Sequence, residues 1–80
     1  MVGDIMMLSE LELNKIANIK NINCEKNLKR RLNDLGLYEG SEIIPVLKSP
    51  FNEPRAYMFN GSVIALRKSD CDKITVICNE

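Results

Sequence analysis

The stretch Arg30–Gly40, RRLNDLGLYEG, joins the end of a predicted helix to a predicted turn. From Cys24 to Leu35 the apolar residues have a helical period, with Asn23 placed to cap the first turn. The leucines of this segment form one narrow stripe: Leu28, Leu32 and Leu35. Gly36 can adopt the left-handed conformation that commonly ends a helix, and Gly40 is a second turn residue. The stretch therefore predicts one short helix that ends at a glycine.

Short apolar segments on both sides of this helix have the composition of strands. Asn60 and Gly61 suit the positive-φ positions of a type I′ turn, which predicts a hairpin. Pro45 cannot donate to a ladder and so predicts an edge position or a bulge. The predicted strands are 15–23, 42–48, 56–59, 62–66 and 74–78, with a helical turn at 69–72. The sequence thus predicts a mainly β fold, a small five-stranded barrel with one short α-helix between its first two strands.

The length and the net charge of the chain restrict the classes of function that it can have. The chain has 80 residues, eleven basic and eleven acidic side chains and a formal net charge of zero. We expect a single domain over residues 1–80, with residues 1–7 as a loosely ordered N-terminal extension. A balanced charge disfavours a dedicated nucleic-acid binder. No apolar run approaches the roughly 20 residues that span a bilayer. We therefore expect a cytoplasmic protein without a nucleic-acid partner and without direct membrane insertion.

The reactive side chains do not form a recognisable catalytic or metal-binding motif. The chain has no histidine, so neither a Cys–His nor a Ser–His pair can form. Cys24, Cys71 and Cys78 form no C-x-x-C, and Cys24 and Cys78 fall at apolar positions, where cysteine packs as a small hydrophobe. We expect no enzyme, no cofactor and no specific metal site. Cys71, between two aspartates, is left open as an adventitious metal ligand or a link between chains.

The basic residues next to the helix end could indicate an anion site. Four of them lie within six residues: Lys26, Lys29, Arg30 and Arg31. On a helix they point in different directions, which favours a solvated surface, with a partner contact as the alternative. Gly36 and Gly40 follow the helix and do not open it, so they do not form a phosphate loop.

Taken in order, these segments resemble the ferrous iron transport protein A (FeoA) family. The matching pieces are Leu8-x-x-Leu11, Arg31-Leu32, Asp34–Leu37, Gly40, Pro50-Phe51, Pro54, Gly61, Ala65–Arg67 and Lys73-Ile74-x-Val76. The resemblance runs from about Leu8 to Val76. It departs at Asn14-Lys15, where the family usually has a glycine, and at Glu39, where it usually has a proline.

The resemblance implies an SH3-like barrel that acts in the cytoplasm beside FeoB, a membrane permease for ferrous iron with a GTP-hydrolysing domain. The expected function is that of a non-enzymatic accessory protein of ferrous iron uptake that binds and modulates FeoB. An alternative is a metal-responsive regulatory module, because a related barrel forms the C-terminal domain of DtxR-type repressors. An RNA-binding SH3-like barrel is a further alternative that the neutral charge disfavours.

The segment SPFNEPRAY supplies candidate partner-binding residues. Pro50 and Pro54 stiffen this loop, which reduces the entropy lost on docking. Phe51 either anchors a partner or folds back onto the barrel. Leu37 and Tyr38, just past the helix, are expected to extend the same apolar surface. The predicted partner-binding residues are thus Leu37, Tyr38, Pro50, Phe51 and Pro54, and the predicted turn residues are Gly36, Gly40, Asn60 and Gly61.

Overall fold

The computed structural model describes residues 3–48 and 54–78. Its elements in chain order are β1 (Asp4–Met7), a 3₁₀ turn (Leu8–Glu10), β2 (Ala17–Ile22), α1 (Lys26–Asp34), β3 (Glu42–Lys48), β4 (Arg55–Phe59), β5 (Ser62–Leu66), α2 (Lys68–Cys71) and β6 (Ile74–Cys78). The strands form one antiparallel sheet of order β1-β6-β2-β3-β4-β5. The mainly β class is confirmed. The helix α1 lies between β2 and β3 and not between the first two strands, because β1 precedes the strand that was predicted to come first.

The sheet has six strands in these ranges, so the predicted count of five is wrong. The additional strand is β1, which pairs with β6 from Asp4 opposite Cys78 to Met7 opposite Thr75. The expected loose extension over residues 1–7 is therefore corrected for Asp4–Met7. Ile5 and Met7 are both exposed, so β1 lacks the alternation of buried and exposed side chains that marks a strand in a sequence. Its pairing with β6, far along the chain, defines this strand.

The core lies on the inner face of the sheet. β6 follows the predicted alternation, with Ile74, Val76 and Cys78 buried. β4 and β5 contribute Tyr57, Phe59, Ile64 and Leu66 in the same way. Leu8 and Leu11, from the 3₁₀ turn and the residue after it, complete the core next to α2. All the fully buried side chains among the described residues are apolar or aromatic, or are cysteines.

α1 is shorter than predicted and buries less of its leucine stripe. It begins at Lys26, and Glu25 precedes it without a side-chain cap. Asn23 is not the cap, since it lies two residues before the N-cap position at Glu25; its backbone N–H donates to the carbonyl of Lys73 at 2.8 Å. Leu32 is fully buried, whereas Leu35 is 42% exposed. The helix thus packs mainly through Leu32, with Leu28 at the edge of the core.

The predicted turns and the irregularity in β3 have clear backbone causes. Gly36, Gly40, Asn60 and Gly61 all have positive φ, of 99°, 94°, 52° and 78°. Asn60 and Gly61 form the two-residue loop between Phe59 and Ser62, as a type I′ hairpin requires. The register of β3 against β4 shifts between Pro45 and Leu47, so the proline lies at a bulge.

Candidate partner surface

Leu37 does not lie on the surface, and its assignment to the partner-binding set is wrong. The backbone N–H of Leu37 donates to the carbonyl of Leu32 at 2.9 Å, and that of Gly36 donates to the carbonyl of Asn33 at 3.0 Å. This pair of bonds is a Schellman motif, which brings the residue after the glycine back against the last turn of the helix. Leu37 and Leu32 are both fully buried. Leu37 therefore belongs to the core.

Tyr38, the next residue, points outward. Its side chain is 55% exposed. Its backbone N–H donates to the Ser41 hydroxyl at 2.9 Å, and its carbonyl accepts from the N–H of Ser41 at 3.0 Å. The closed turn between Tyr38 and Ser41 fixes the backbone of the tyrosine. We call the exposed side chains of Leu35 and Tyr38 the helix-end patch.

Pro54 lies at the other end of strand β4. It is exposed and directly precedes Arg55, the first residue of β4. Gly36, at the helix end, approaches Asn60, which follows the last residue of β4. Six strand steps of about 3.4 Å separate positions 54 and 60, or roughly 20 Å. Pro54 and the helix-end patch are therefore two separate areas; Pro50 and Phe51 lie outside the described residues.

A groove of about 690 Å³ opens beside the start of β4. One wall is the segment from Ser9 to Leu13, and Tyr57 and Cys71 are among the residues on the other side. Glu10, Glu12 and Lys68 also line it, so the rim carries charges of both signs. Pro54 adjoins this groove, because it is covalently attached to Arg55, a lining residue. We call it the β4 groove.

Arg55 holds the two walls of the β4 groove together. Its guanidinium donates to the backbone carbonyls of Ser9, at 2.9 Å, and Leu11, at 2.7 Å. The same group lies 5.4 Å from the centre of the Tyr57 ring, a cation–π contact. Its Nε is buried without a hydrogen-bond partner. Because both terminal nitrogens are occupied by carbonyls, Arg55 positions the groove wall and is not a free anion-binding group.

The thiol and the phenol in the groove are neutral groups. The Cys71 thiol lies 3.3 Å from the Tyr57 hydroxyl, and both side chains are buried. Burial raises the pKa of the Cys71 thiol and also that of Tyr57, well above its ordinary value. A protonated thiol is a poor nucleophile and a poor metal ligand. The burial of Cys71 disfavours the two roles left open for it from the sequence, an adventitious metal ligand and a link between chains.

A second polar cluster joins the 3₁₀ turn to α2. The Ser9 hydroxyl donates to the Asp72 carboxylate, which also pairs with the ammonium of Lys68 at 3.1 Å. The hydrogen bond from Ser9, and then that from Lys68, lowers the pKa of Asp72 below its ordinary value. Asp72 thus links the 3₁₀ turn to the end of α2.

The three thiols have separate acceptors. Cys24 donates to the carbonyl of Asp70 at 3.5 Å and Cys78 to that of Ile16 at 3.8 Å, while Cys71 contacts Tyr57. Residues 3–48 and 54–78 contain no group of three or more cysteine, aspartate or glutamate side chains placed to hold a metal ion.

Sequence reasoning missed Arg55, Tyr57, Ser9 and Asp72 as members of one structural unit. Ser9 and Asp72 are 63 residues apart, and no local pattern links them. The position of Arg55 was partly predictable, because it directly follows Pro54 and begins a strand whose alternation buries Tyr57. The contact with the 3₁₀ turn could not be read from that pattern.

Comparison with protein-family models places these features in a known group. The FeoA domain model matches residues 6–78, which is nearly the whole chain. The chain belongs to the FeoA family. That family is involved in iron(II) transport, and the suspected resemblance is confirmed. No curated protein matches this FeoA domain in a sequence search.

Solved structures agree with the assignment. The FeoA protein from Chlorobium tepidum is 31% identical, with a TM-score of 0.89 and coverage of 94% of this chain and 71% of that chain. FeoA of Stenotrophomonas maltophilia is 33% identical, with a TM-score of 0.75 and coverage of 89% and 88%. The latter was solved with zinc and described as a prokaryotic SH3 domain protein and a candidate ferrous iron transport activating factor. The fold of this FeoA domain is therefore SH3-like.

The fold is shared with metal-dependent repressors. A manganese-dependent transcriptional repressor aligns with a TM-score of 0.82 over 99% of this chain and 44% of its own length, at 11% identity. At that identity the likeness concerns the fold of this FeoA domain and not its function. Within the described ranges, neither helix is long and apolar enough to cross a membrane.

Proposed function

We propose that this FeoA domain is a non-enzymatic accessory protein of ferrous iron uptake that acts in the cytoplasm by binding the FeoB GTPase-permease. The observation that carries this proposal is the family match over residues 6–78. It is supported by the burial of the groove thiol of Cys71 against the Tyr57 hydroxyl. The surface of the domain, and not a reactive side chain, then performs the function.

The proposed contact surface comprises Tyr38 at the helix-end patch, Pro54 beside the β4 groove, and Pro50 and Phe51 of the same predicted loop. A standard interface buries about 800 Å² per partner, which corresponds to a patch somewhat wider than the roughly 20 Å between these two areas. One large partner can therefore contact both. By binding one conformation of FeoB better than another, the domain shifts the equilibrium of the GTPase-permease.

The test is a calorimetric titration of the cytoplasmic GTPase domain of FeoB with the full chain. We expect Tyr38→Ala and Phe51→Ala each to weaken binding at least fivefold, as loss of an aromatic contact does, and the double variant to weaken it further. Ile5→Ala is the matched control, because Ile5 is an exposed apolar residue on β1, at one end of the sheet. Wild-type chain that binds neither the GTPase domain nor full-length FeoB in vesicles would refute the FeoB partnership.

Unchanged affinity of the double variant would instead refute only this surface. A GTP-hydrolysis assay of FeoB with and without the domain then reports whether binding alters turnover. The assay must be run with full-length FeoB in vesicles, since the permease is part of the proposed equilibrium.

A second candidate function is a metal-responsive regulatory module. It rests on analogy of fold alone, because the manganese-dependent repressor shares the fold of this FeoA domain. This alternative predicts tight binding of Mn²⁺ or Fe²⁺ by the isolated, reduced chain. Calorimetry without measurable heat at micromolar metal would eliminate it and leave the FeoB proposal intact.

A further inference from the structure

The exposed edge of β5 is a surface that the proposed function does not use. β5 is the last strand in the sheet order, and within the described residues no strand pairs with its other side. Val63 is 62% exposed and Ala65 is also exposed. The structure thus presents a strand edge that is accessible to another chain.

The hairpin geometry identifies which backbone groups face outward. Phe59 and Ser62 flank the two-residue turn and form a hydrogen-bonded pair, so Tyr57 and Ile64 form the next one. Val63 and Ala65 occupy the alternate, non-hydrogen-bonded sites of this ladder. Their N–H and C=O groups therefore point away from β4, towards the free edge.

This edge lacks the features by which proteins block strand addition. β5, with sequence SVIAL, contains neither a charged residue nor a proline, and its pairing with β4 runs without a bulge. The outward side chains Val63 and Ala65 are small and apolar, and lie beside Met58 and Ala56 of β4. A second strand can approach along this edge without burying a charge.

We propose that β5 pairs with β5 of a second copy of this chain, antiparallel and across a two-fold axis at Ile64. Val63 of each copy then lies opposite Ala65 of the other. Each of these residues donates its free N–H and accepts at its free C=O, so the edge is complementary to itself. Such an isologous contact closes as a dimer and does not propagate.

Two charged residues, Arg67 just after β5 and Glu42 on β3, favour the same register. Continuing the pairing places Arg67 opposite Gly61 of the other copy. Glu42, Asn60 and Gly61 all line one depression on this part of the surface. Residues that are two or four positions apart in a strand have their side chains on the same face of the sheet. Glu42 therefore shares the outer face with Ile44, and Arg67 shares it with Val63. Arg67 of one copy therefore meets Glu42 of the other, twice in each dimer.

The dimer is expected to be weak. Strand-edge pairing buries less than the roughly 1,200 Å² of a standard interface, so dissociation in the micromolar range or above is expected. Analytical ultracentrifugation of the full chain over a concentration series up to about 1 mM is therefore the appropriate measurement. We expect the weight-average mass to rise from monomer to dimer and to stop there.

Edge variants test the surface, and charge reversals test the register. Ala65→Lys places a charge on the outer face and should weaken association at least tenfold. Arg67→Glu and Glu42→Arg should each weaken it about tenfold, since each replaces two attractive pairs by repulsive ones. The double variant restores opposite charges and should return to within threefold of wild type. Arg30→Glu, with the same charge change on exposed α1, is the matched control.

Two results would overturn the proposal. One is a chain that remains monomeric throughout the concentration series. The other is a dimer whose dissociation constant is unchanged by Ala65→Lys and by both charge reversals, which would place the interface elsewhere. Circular dichroism of each variant identifies loss of folding, and rescue by the double variant cannot arise from unfolding.

Discussion

Gly36→Ala tests how closely the end of α1 packs against the β4–β5 hairpin. A Cβ added to Gly36 would lie 2.8 Å from the side-chain Nδ2 of Asn60. Gly36 also has a φ of 99°, a conformation that L-residues with a Cβ rarely adopt. The substitution therefore adds backbone strain and a steric overlap at the same position.

The two effects can be estimated separately. Left-handed backbone costs a non-glycine residue roughly 1–2 kcal/mol, and the smaller entropy of the unfolded chain returns about 0.4–1 kcal/mol. Moving the Asn60 side chain away from its rotamer costs about 0.5–1.5 kcal/mol. We expect a total loss of about 2 kcal/mol, a large part of the roughly 3–5 kcal/mol available to a domain of this size.

Gly40→Ala is the matched control, because Gly40 has a φ of 94° and no atom within 4 Å of its added Cβ. It should lose only about 1 kcal/mol, from strain alone. Urea unfolding followed by circular dichroism gives the loss of unfolding free energy for both variants. The difference of about 1 kcal/mol between them corresponds to roughly 4–8 °C in Tm. Asn60→Gly in the Gly36→Ala background should remove the additional loss, since it deletes the overlapping atom and retains a residue suited to the turn.

Equal losses for Gly36→Ala and Gly40→Ala would refute the reasoning. They would mean that the Asn60 side chain moves aside without cost, so the helix end and the hairpin do not constrain each other. A loss at Gly36→Ala that Asn60→Gly leaves unchanged would place the overlap elsewhere.

Three further predictions concern the β4 groove and its polar neighbours. Arg55→Met should cost about 2–3 kcal/mol in urea unfolding, because it removes two charge-assisted hydrogen bonds and keeps the aliphatic stem; a loss below 0.5 kcal/mol would contradict its clamping role. Cys71 should react with iodoacetamide far more slowly in the native protein than in urea, because burial raises its pKa, and equal rates would contradict this. Asp72 has a lowered pKa in the folded state, so its stabilising effect is present above the ordinary carboxyl range and is lost as the pH falls below it. Asp72→Asn should therefore reduce stability at neutral pH and flatten the acid limb of a stability–pH curve; an unchanged limb would contradict this.

Local signals predicted much of this fold, and long-range contacts account for the failures. The glycine at position 36, the Asn60-Gly61 turn and the alternation in β6 were each sufficient to place their element. β1 was missed because its exposed side chains carry no strand pattern, and it exists through pairing with β6. The β4 groove was missed for the same reason, since Arg55 reaches carbonyls more than 40 residues away in sequence. Pairings of this kind leave no periodicity to detect.

The error at Leu37 has a different origin, and it changes how binding experiments should be interpreted. The Schellman motif buries Leu37 against Leu32 and leaves the adjacent Tyr38 exposed. Truncating a buried leucine costs about 2–5 kcal/mol, which approaches the whole stability of a small domain. Leu37→Ala would thus abolish binding to any partner by unfolding the chain. Tyr38→Ala removes surface without removing core, so only the tyrosine variant reports on the partner.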